Sequence, residues 1–110
     1  MRFLTITSAP ERKAPPSEEE MAKMGPLLEE AFAEGWLIAT GGLMPTALGA
    51  RVRQAGGDIT VTDGPFTESK EVVGGYAILE APSKEAAIEL IRRFFAAGGD
   101  GLCELRQLYE

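Results

Sequence analysis

Three groups of charged side chains are of types that can bind a ligand or move a proton. Arg51 and Arg53 alternate along one segment, and Glu104 and Arg106 alternate along another. The third group lies in the eleven-residue run Val-Thr-Asp-Gly-Pro-Phe-Thr-Glu-Ser-Lys-Glu at residues 61–71. A guanidinium can hold a carboxylate through two parallel hydrogen bonds, and a carboxylate whose pKa burial has raised can accept a proton. These residue types are compatible with a small pocket for an anionic molecule.

The candidate ligand-binding residues are Arg51, Arg53, Asp63, Phe66, Glu68, Lys70, Glu104 and Arg106. Asp63 is the candidate catalytic residue, and Asp63 or Glu104 is the candidate proton acceptor. Arginine and carboxylate side chains on strands also pair with each other for purely structural reasons. Cross-strand ion pairing or an exposed sheet edge is therefore the alternative to a pocket.

The run at residues 61–71 also predicts a rigid turn. Asp63 can accept hydrogen bonds from backbone N–H groups one or two residues on, which closes an Asx-turn. Gly64 adopts dihedral angles closed to other residues, Pro65 fixes its own φ, and Phe66 can anchor the turn to the sheet. Residues 67–71 are too polar for an added strand and too short for a helix, so we expect an ordered surface loop.

Composition excludes several classes of function. The chain has no histidine, so any general base is a carboxylate, lysine, tyrosine or the single thiol, Cys103. One cysteine allows no intrachain disulfide and no multi-cysteine zinc site, and we expect a buried, inert thiol. A net charge of -6 argues against binding to nucleic acid or to anionic membranes. We predict no metal site, no cofactor and, because residues 1–7 alternate like a strand, a cytoplasmic location.

The periodicity of the chain predicts two helices. Ser17 and Glu20 form a capping box at the start of the first helix, and Gly35 ends it. Pro26 lies within this helix and should bend or break it. Its predicted apolar stripe consists of Met21, Met24, Leu28, Ala31 and Phe32. The second helix begins at residues 82–83 and ends at residues 98–99, with Ala87, Ile91, Phe94 and Phe95 facing inward.

Strands are predicted at residues 2–8, 36–40, 50–53, 58–62, 72–80 and 102–109. Residues 9–16 are a proline-bearing loop, residues 43–49 an irregular connection and residues 54–57 a hairpin turn. This order predicts one α+β domain, residues 1–110, with a ferredoxin-like βαββαβ plan, an inserted β-hairpin and two helices on one face of an antiparallel sheet.

The strand at residues 72–80 also predicts a second subunit. Alternation puts Val73, Gly75, Ala77 and Leu79 on one side and Val72, Gly74, Tyr76 and Ile78 on the other. Both sides are apolar or small, so both should be covered. Helices can cover only one face, and we therefore expect a homodimer with the sheets face to face.

The run at residues 61–71, followed by Gly-Gly-Tyr at residues 74–76, resembles the signature of the YCII-related, DGPF-domain family. The similarity continues through residues 39–43, 49–53 and 104–108. The resemblance implies a ferredoxin-like fold and a dimeric α+β barrel. Some members are fused to sigma-factor regions, which suggests a regulatory role, and the wider superfamily has been suspected of enzymatic activity at a His-Asp pair. This chain has no histidine to supply half of that pair.

Three functions remain open. The first is a homodimer that binds a small, anionic molecule in a pocket near the DGPF segment, Asp63–Gly64–Pro65–Phe66. The second is a lyase or isomerase that works through carboxylates, which requires Asp63 to lie in a concave pocket. The third is a structural or regulatory dimerisation module, in which the charged strand residues pair fully and no cavity separates the sheets from the helices.

Overall fold

The computed structural model describes residues 1–12 and 14–110, so position 13 of the predicted loop 9–16 lies outside the described residues. The elements in chain order are β1 (Arg2–Ala9), α1 (Glu18–Glu34), β2 (Leu37–Gly42), β3 (Ala50–Ala55), β4 (Asp58–Asp63), β5 (Val72–Glu80), α2 (Lys84–Ala97) and β6 (Leu102–Gln107). A 3₁₀ turn, Thr46–Leu48, lies within the predicted irregular connection. Within the described part of the chain, no helix combines the length and the hydropathy needed to cross a membrane.

The main sheet has four strands in the order β2-β5-β1-β6, with every neighbouring pair antiparallel. The halves β1-α1-β2 and β5-α2-β6 therefore contribute alternate strands, as in the split βαβ arrangement. The predicted α+β, ferredoxin-like fold is confirmed. The last strand is shorter than predicted and ends at Gln107, although Leu108 N–H still donates to the Arg2 carbonyl at 2.8 Å.

Helix α1 begins and ends where the capping residues predicted. The Ser17 hydroxyl accepts the Glu20 N–H at 3.1 Å, and Gly35 has a φ of 84°, which suits a residue without a side chain. Pro26 does not break the helix, which is continuous from Glu18 to Glu34. Gly25 has no Cβ to clash with the proline ring, and the exposed position of Pro26 lets water reach the freed carbonyl.

Both helices pack on the same face of the main sheet. Leu79 of β5 contacts a cluster around Ala31 and Trp36, while Phe3 of β1 packs with Ala87 of α2. The Trp36 and Phe94 rings meet edge to face, with centroids 5.5 Å apart. These large apolar groups lie near one end of the sheet, and their burial supplies the main stabilisation of the fold.

The predicted apolar stripes are wider than the surfaces that become buried. Ala31 is buried and Leu28 packs against the core, but Met21 and Phe32 are 56% and 47% exposed. At 100° per residue, Met21 and Phe32 fall at one edge of the stripe, beyond the part that reaches the sheet. Phe95 of α2, predicted to face inward, is 36% exposed for the same reason.

The opposite face of the sheet, which we call the helix-free face, carries no helix from residues 1–12 or 14–110. Leu4 and Ile6 of β1 lie opposite Ile78 and Tyr76 of β5 in the register. The register shifts after Thr7, so that Ser8 pairs with Val73 and Gly74 is passed over. This bulge moves Val73 onto the helix-free face, whereas strict alternation grouped it with Gly75, Ala77 and Leu79.

Strands β3 and β4 form a separate two-stranded sheet, the β3–β4 arm (residues 50–63). Gly56 and Gly57 at its turn have φ of 58° and 86°, the positive values that a tight hairpin turn needs at both central positions. Every residue of both strands is exposed. With this separate arm, the chain has a radius of gyration of 15.8 Å, which exceeds the roughly 13 Å expected for a compact chain of this length.

Candidate functional site

The DGPF segment is held against the Thr46–Leu48 turn. Gly64 N–H donates to the Gly49 carbonyl at 2.9 Å, and Phe66 N–H donates to the Thr46 hydroxyl at 3.2 Å. That hydroxyl in turn donates to Glu11 at 2.8 Å. A Cβ on Gly64 would lie 1.7 Å from the Thr46 carbonyl oxygen, so the approach of the two backbones requires glycine there. The Gly64–Pro65 peptide bond is cis.

The predicted Asx-turn at Asp63 does not form. The N–H of Gly64 already bonds to Gly49, Pro65 has no N–H, and the N–H of Phe66 bonds to Thr46. No nearby donor therefore remains for the Asp63 carboxylate, which makes no hydrogen bond to any of the described residues. Asp63 pairs with Ala50 at the end of β4, and the segment is held by Thr46 instead.

Arg51, Phe66 and Glu68 come together beside this segment. The Arg51 guanidinium donates to Glu68 Oε1 at 2.5 Å and to Ser69 Oγ at 3.2 Å. Its carbon lies 3.8 Å from the centroid of the Phe66 ring, within the range of a cation–π contact. Hydrogen bonding from Arg51 is the largest of the causes that lower the pKa of the Glu68 carboxyl. Glu68 therefore stays ionised to a lower pH than a free glutamate does.

A cavity of about 500 Å³ opens next to this cluster, and we call it the DGPF-side cavity. Its polar lining includes Arg51, Ser69 and Glu71. Its remaining walls include Leu43, Met44, Leu48, Phe66, Val72 and Val73. This volume lies within the range of about 300–1,000 Å³ that small-molecule sites occupy.

Of the eight candidate residues, Arg51 and Phe66 line the cavity, and Glu68 and the other five lie outside its lining. Arg53 and Lys70 form no ion pair within residues 1–12 and 14–110, and Asp63 is exposed. Glu104 and Arg106 of β6 bond to each other at 3.2 Å, with both side chains exposed. The register places this pair on the helix-free face, opposite Ile6 and Leu4. The described chain thus brings together three of the eight candidates, and the binding roles of all eight remain predictions.

Two residues that brace the site were not identified from the sequence. Thr46 lies in a segment predicted only as irregular, and Glu11 lies in a loop with no recognised motif. The Glu11–Thr46 contact spans 35 positions of the chain and the Thr46–Phe66 contact spans 20, and no local pattern reveals either. Ser69, which accepts a hydrogen bond from Arg51, lies inside the run at residues 61–71. Its hydroxyl, between the charged Glu68 and Lys70, could have been predicted from the sequence as a polar group of the site.

Comparisons with known proteins identify the family of the chain. A curated relative, an uncharacterised protein of Rhizobium meliloti (strain 1021), is 29% identical over 105 residues. The alignment covers 94% of this chain and 83% of the relative. The YCII-related domain family matches residues 1–110, which include the braced DGPF segment and both helices. The chain therefore belongs to the YCII-related domain family, as the resemblance in residues 61–71 predicted.

Proposed function

We propose that this protein binds a small anionic molecule in the DGPF-side cavity and acts as a homodimer. The observation that carries the proposal is the position of Arg51, whose guanidinium lies at the cavity wall against the Phe66 ring. The aromatic ring fixes the plane of the guanidinium, which can then present two parallel N–H groups to a carboxylate.

Glu68 acts as a replaceable partner of Arg51. The side chains of Arg51 and Glu68 are 50% and 65% exposed, and exposed ion pairs contribute only about 0–1 kcal/mol. A ligand carboxylate can take the place of Glu68 at little cost, while the apolar walls contact the body of the ligand. A ligand that combines an aromatic or aliphatic body with one carboxylate fits this lining best.

The helix-free face supports the homodimer. Leu4, Ile6, Tyr76 and Ile78 form an apolar surface there, and Tyr76 is 40% exposed. Val73 lies on this face and also lines the DGPF-side cavity. A second copy packed on the helix-free face would therefore extend the cavity wall, so that dimerisation and ligand binding support each other.

The geometry does not favour the carboxylate-based lyase or isomerase. That reaction requires Asp63 in a concave site, whereas Asp63 is exposed at the end of β4 and does not line the DGPF-side cavity. A purely structural module agrees with the pairing of Glu104 with Arg106 but leaves the cavity beside Arg51 without a role.

Binding of benzoate to single-residue variants tests the proposal. Arg51→Ala should weaken benzoate binding about tenfold or more, because the charge-assisted hydrogen bonds are lost. Glu68→Gln should strengthen binding, because Arg51 no longer has a charged competitor. The measurement is the shift of backbone amide signals in NMR titrations, with the neutral benzamide as the ligand control.

Arg53→Ala is the matched protein control, since Arg53 lies on the same strand and the same side as Arg51 but outside the cavity lining. This variant should bind benzoate like the parent protein. Equal binding of benzoate and benzamide, or undiminished benzoate binding by Arg51→Ala, would contradict the anionic-ligand proposal.

A further inference from the structure

The helix-facing side of the main sheet changes in character along its strands. At one end, the register aligns Leu37, Leu79 and Phe3, which form the packed core. At the other end, it aligns Gly42, Gly75, Thr7 and Cys103. The surface beneath the helices thus passes from large apolar side chains to small and polar ones.

The helices do not fill the space above the small residues. A cavity of about 660 Å³, the sheet–helix cavity, lies between Thr5, Thr7 and Cys103 on the sheet and Met24, Phe94 and Phe95 on the helices. Protein interiors are normally packed as densely as organic crystals. The space between the sheet and the helices is open on one side and is not packed in this way, and its volume falls within the size range of ligand sites.

Hydrogen-bonding groups line the floor of this cavity. Thr5 donates its hydroxyl proton to the Ala77 carbonyl at 3.3 Å, so toward a ligand its oxygen can act only as an acceptor. Thr7 lies directly across from Cys103 on the neighbouring strand. Burial is the largest cause that raises the pKa of the Cys103 thiol, so this group stays neutral at pH 7.

The charges around the cavity argue against an anionic occupant. Arg12 donates to both carboxylate oxygens of Glu20, at 2.6 and 3.0 Å, and the two charges offset each other. Asp100 adds a negative charge to the lining. No unpaired cation is available to this cavity from the described residues, in contrast to Arg51 beside the DGPF-side cavity.

We infer that the sheet–helix cavity is a second binding site, for a neutral and mostly apolar molecule that carries a hydroxyl or carbonyl group. The apolar helix side chains contact the body of the molecule, and the threonine hydroxyls bond to its polar group. This site lies beneath the helices, has its own lining and does not depend on the proposed function of the DGPF-side cavity.

The test uses 2-naphthol, naphthalene and 2-naphthalenesulfonate, which share one ring system and differ in their polar group. Cys103 is the single cysteine, so its reaction with N-ethylmaleimide reports on the sheet–helix cavity alone. Saturating 2-naphthol should slow this reaction about tenfold or more, whereas the anionic 2-naphthalenesulfonate should not slow it. The amide NMR signals of Thr5, Thr7 and Cys103 should shift in the same titration, which gives a readout that does not depend on thiol reactivity.

Thr7→Val removes the hydroxyl and keeps the shape of the side chain. It should weaken 2-naphthol binding about 3- to 10-fold, the effect of one hydrogen bond, and leave naphthalene binding unchanged. Arg51→Ala should not alter 2-naphthol binding, which separates this site from the anionic one. Absence of both protection and amide shifts, or shifts confined to residues of the DGPF-side cavity, would overturn the inference.

Discussion

At the residue scale, Gly64 has the most restrictive surroundings among the glycines of the chain. A side chain there would collide with backbone rather than with a flexible side chain, because the Thr46 carbonyl oxygen is 1.7 Å from the Cβ position. We predict that Gly64→Ala lowers the free energy of unfolding by about 3 kcal/mol or more, measured by urea denaturation. Gly99→Ala is the control, since nothing lies within 4 Å of its Cβ position. Equal stability of the two variants would contradict the close approach.

A second prediction at this scale concerns Glu20. Hydrogen bonding from Arg12 is the largest cause that lowers the pKa of the Glu20 carboxyl to about 2. Arg12→Ala should return that pKa toward 4.5, as measured by NMR titration of the side-chain carboxyl carbon. Lys23→Ala is the control, because Lys23 pairs with Glu19 and should leave Glu20 unchanged.

The sign of the accompanying stability change follows from the direction of this shift. The pKa of Glu20 is lower in the folded state than in the unfolded state. The contribution of ionised Glu20 to the free energy of unfolding is therefore complete at pH values above the unfolded-state pKa, and it is lost as the pH falls toward 2. Both side chains are about half exposed, so solvent screens the pair. A pKa of Glu20 that stays near 2 in Arg12→Ala would show that Ser17 alone is responsible.

At the scale of elements, helix α1 carries an unfavourable residue that its surroundings tolerate. Pro26 lies inside the helix at an exposed position and cannot donate the usual backbone hydrogen bond. Pro26→Ala should raise the free energy of unfolding by about 1–3 kcal/mol, measured by urea denaturation. Pro82→Ala, an exposed change outside both helices, should give no such gain. A destabilised Pro26→Ala variant would mean that the helix needs proline at this position.

The elements also show what the sequence could reveal and what it could not. Local signals sufficed for β5, predicted and observed at residues 72–80, and for the caps at Ser17 and Gly35. The side on which Val73 lies could not be predicted, because it depends on a bulge that strict alternation does not encode. The same holds for the site. Arg51, Phe66 and Glu68 could be predicted from the sequence, whereas the hydrogen bond from Phe66 to Thr46 could not, because it joins segments that are distant in the chain.

At the scale of the whole molecule, the proposed homodimer predicts that a charge on the helix-free face weakens dimerisation, whereas a charge on the helix side of the protein does not. Tyr76→Glu places a charge on the helix-free face, where a second copy would bury it without a partner. Light scattering at micromolar concentration should give twice the chain mass for the parent protein and a lower mass for this variant. Phe32→Glu, a similarly exposed position on α1, should remain dimeric. A monomeric parent protein would refute the dimer.

The β3–β4 arm has a consequence for local opening of the protein. Its strands pair only with each other, and all their residues are exposed, so their hydrogen bonds can break while the core stays intact. Amide protons of Val52 and Val61, which face each other in the arm, should therefore exchange with deuterium much faster than those of Leu79. A partner or ligand that binds to the arm would therefore slow this exchange by making the arm more rigid.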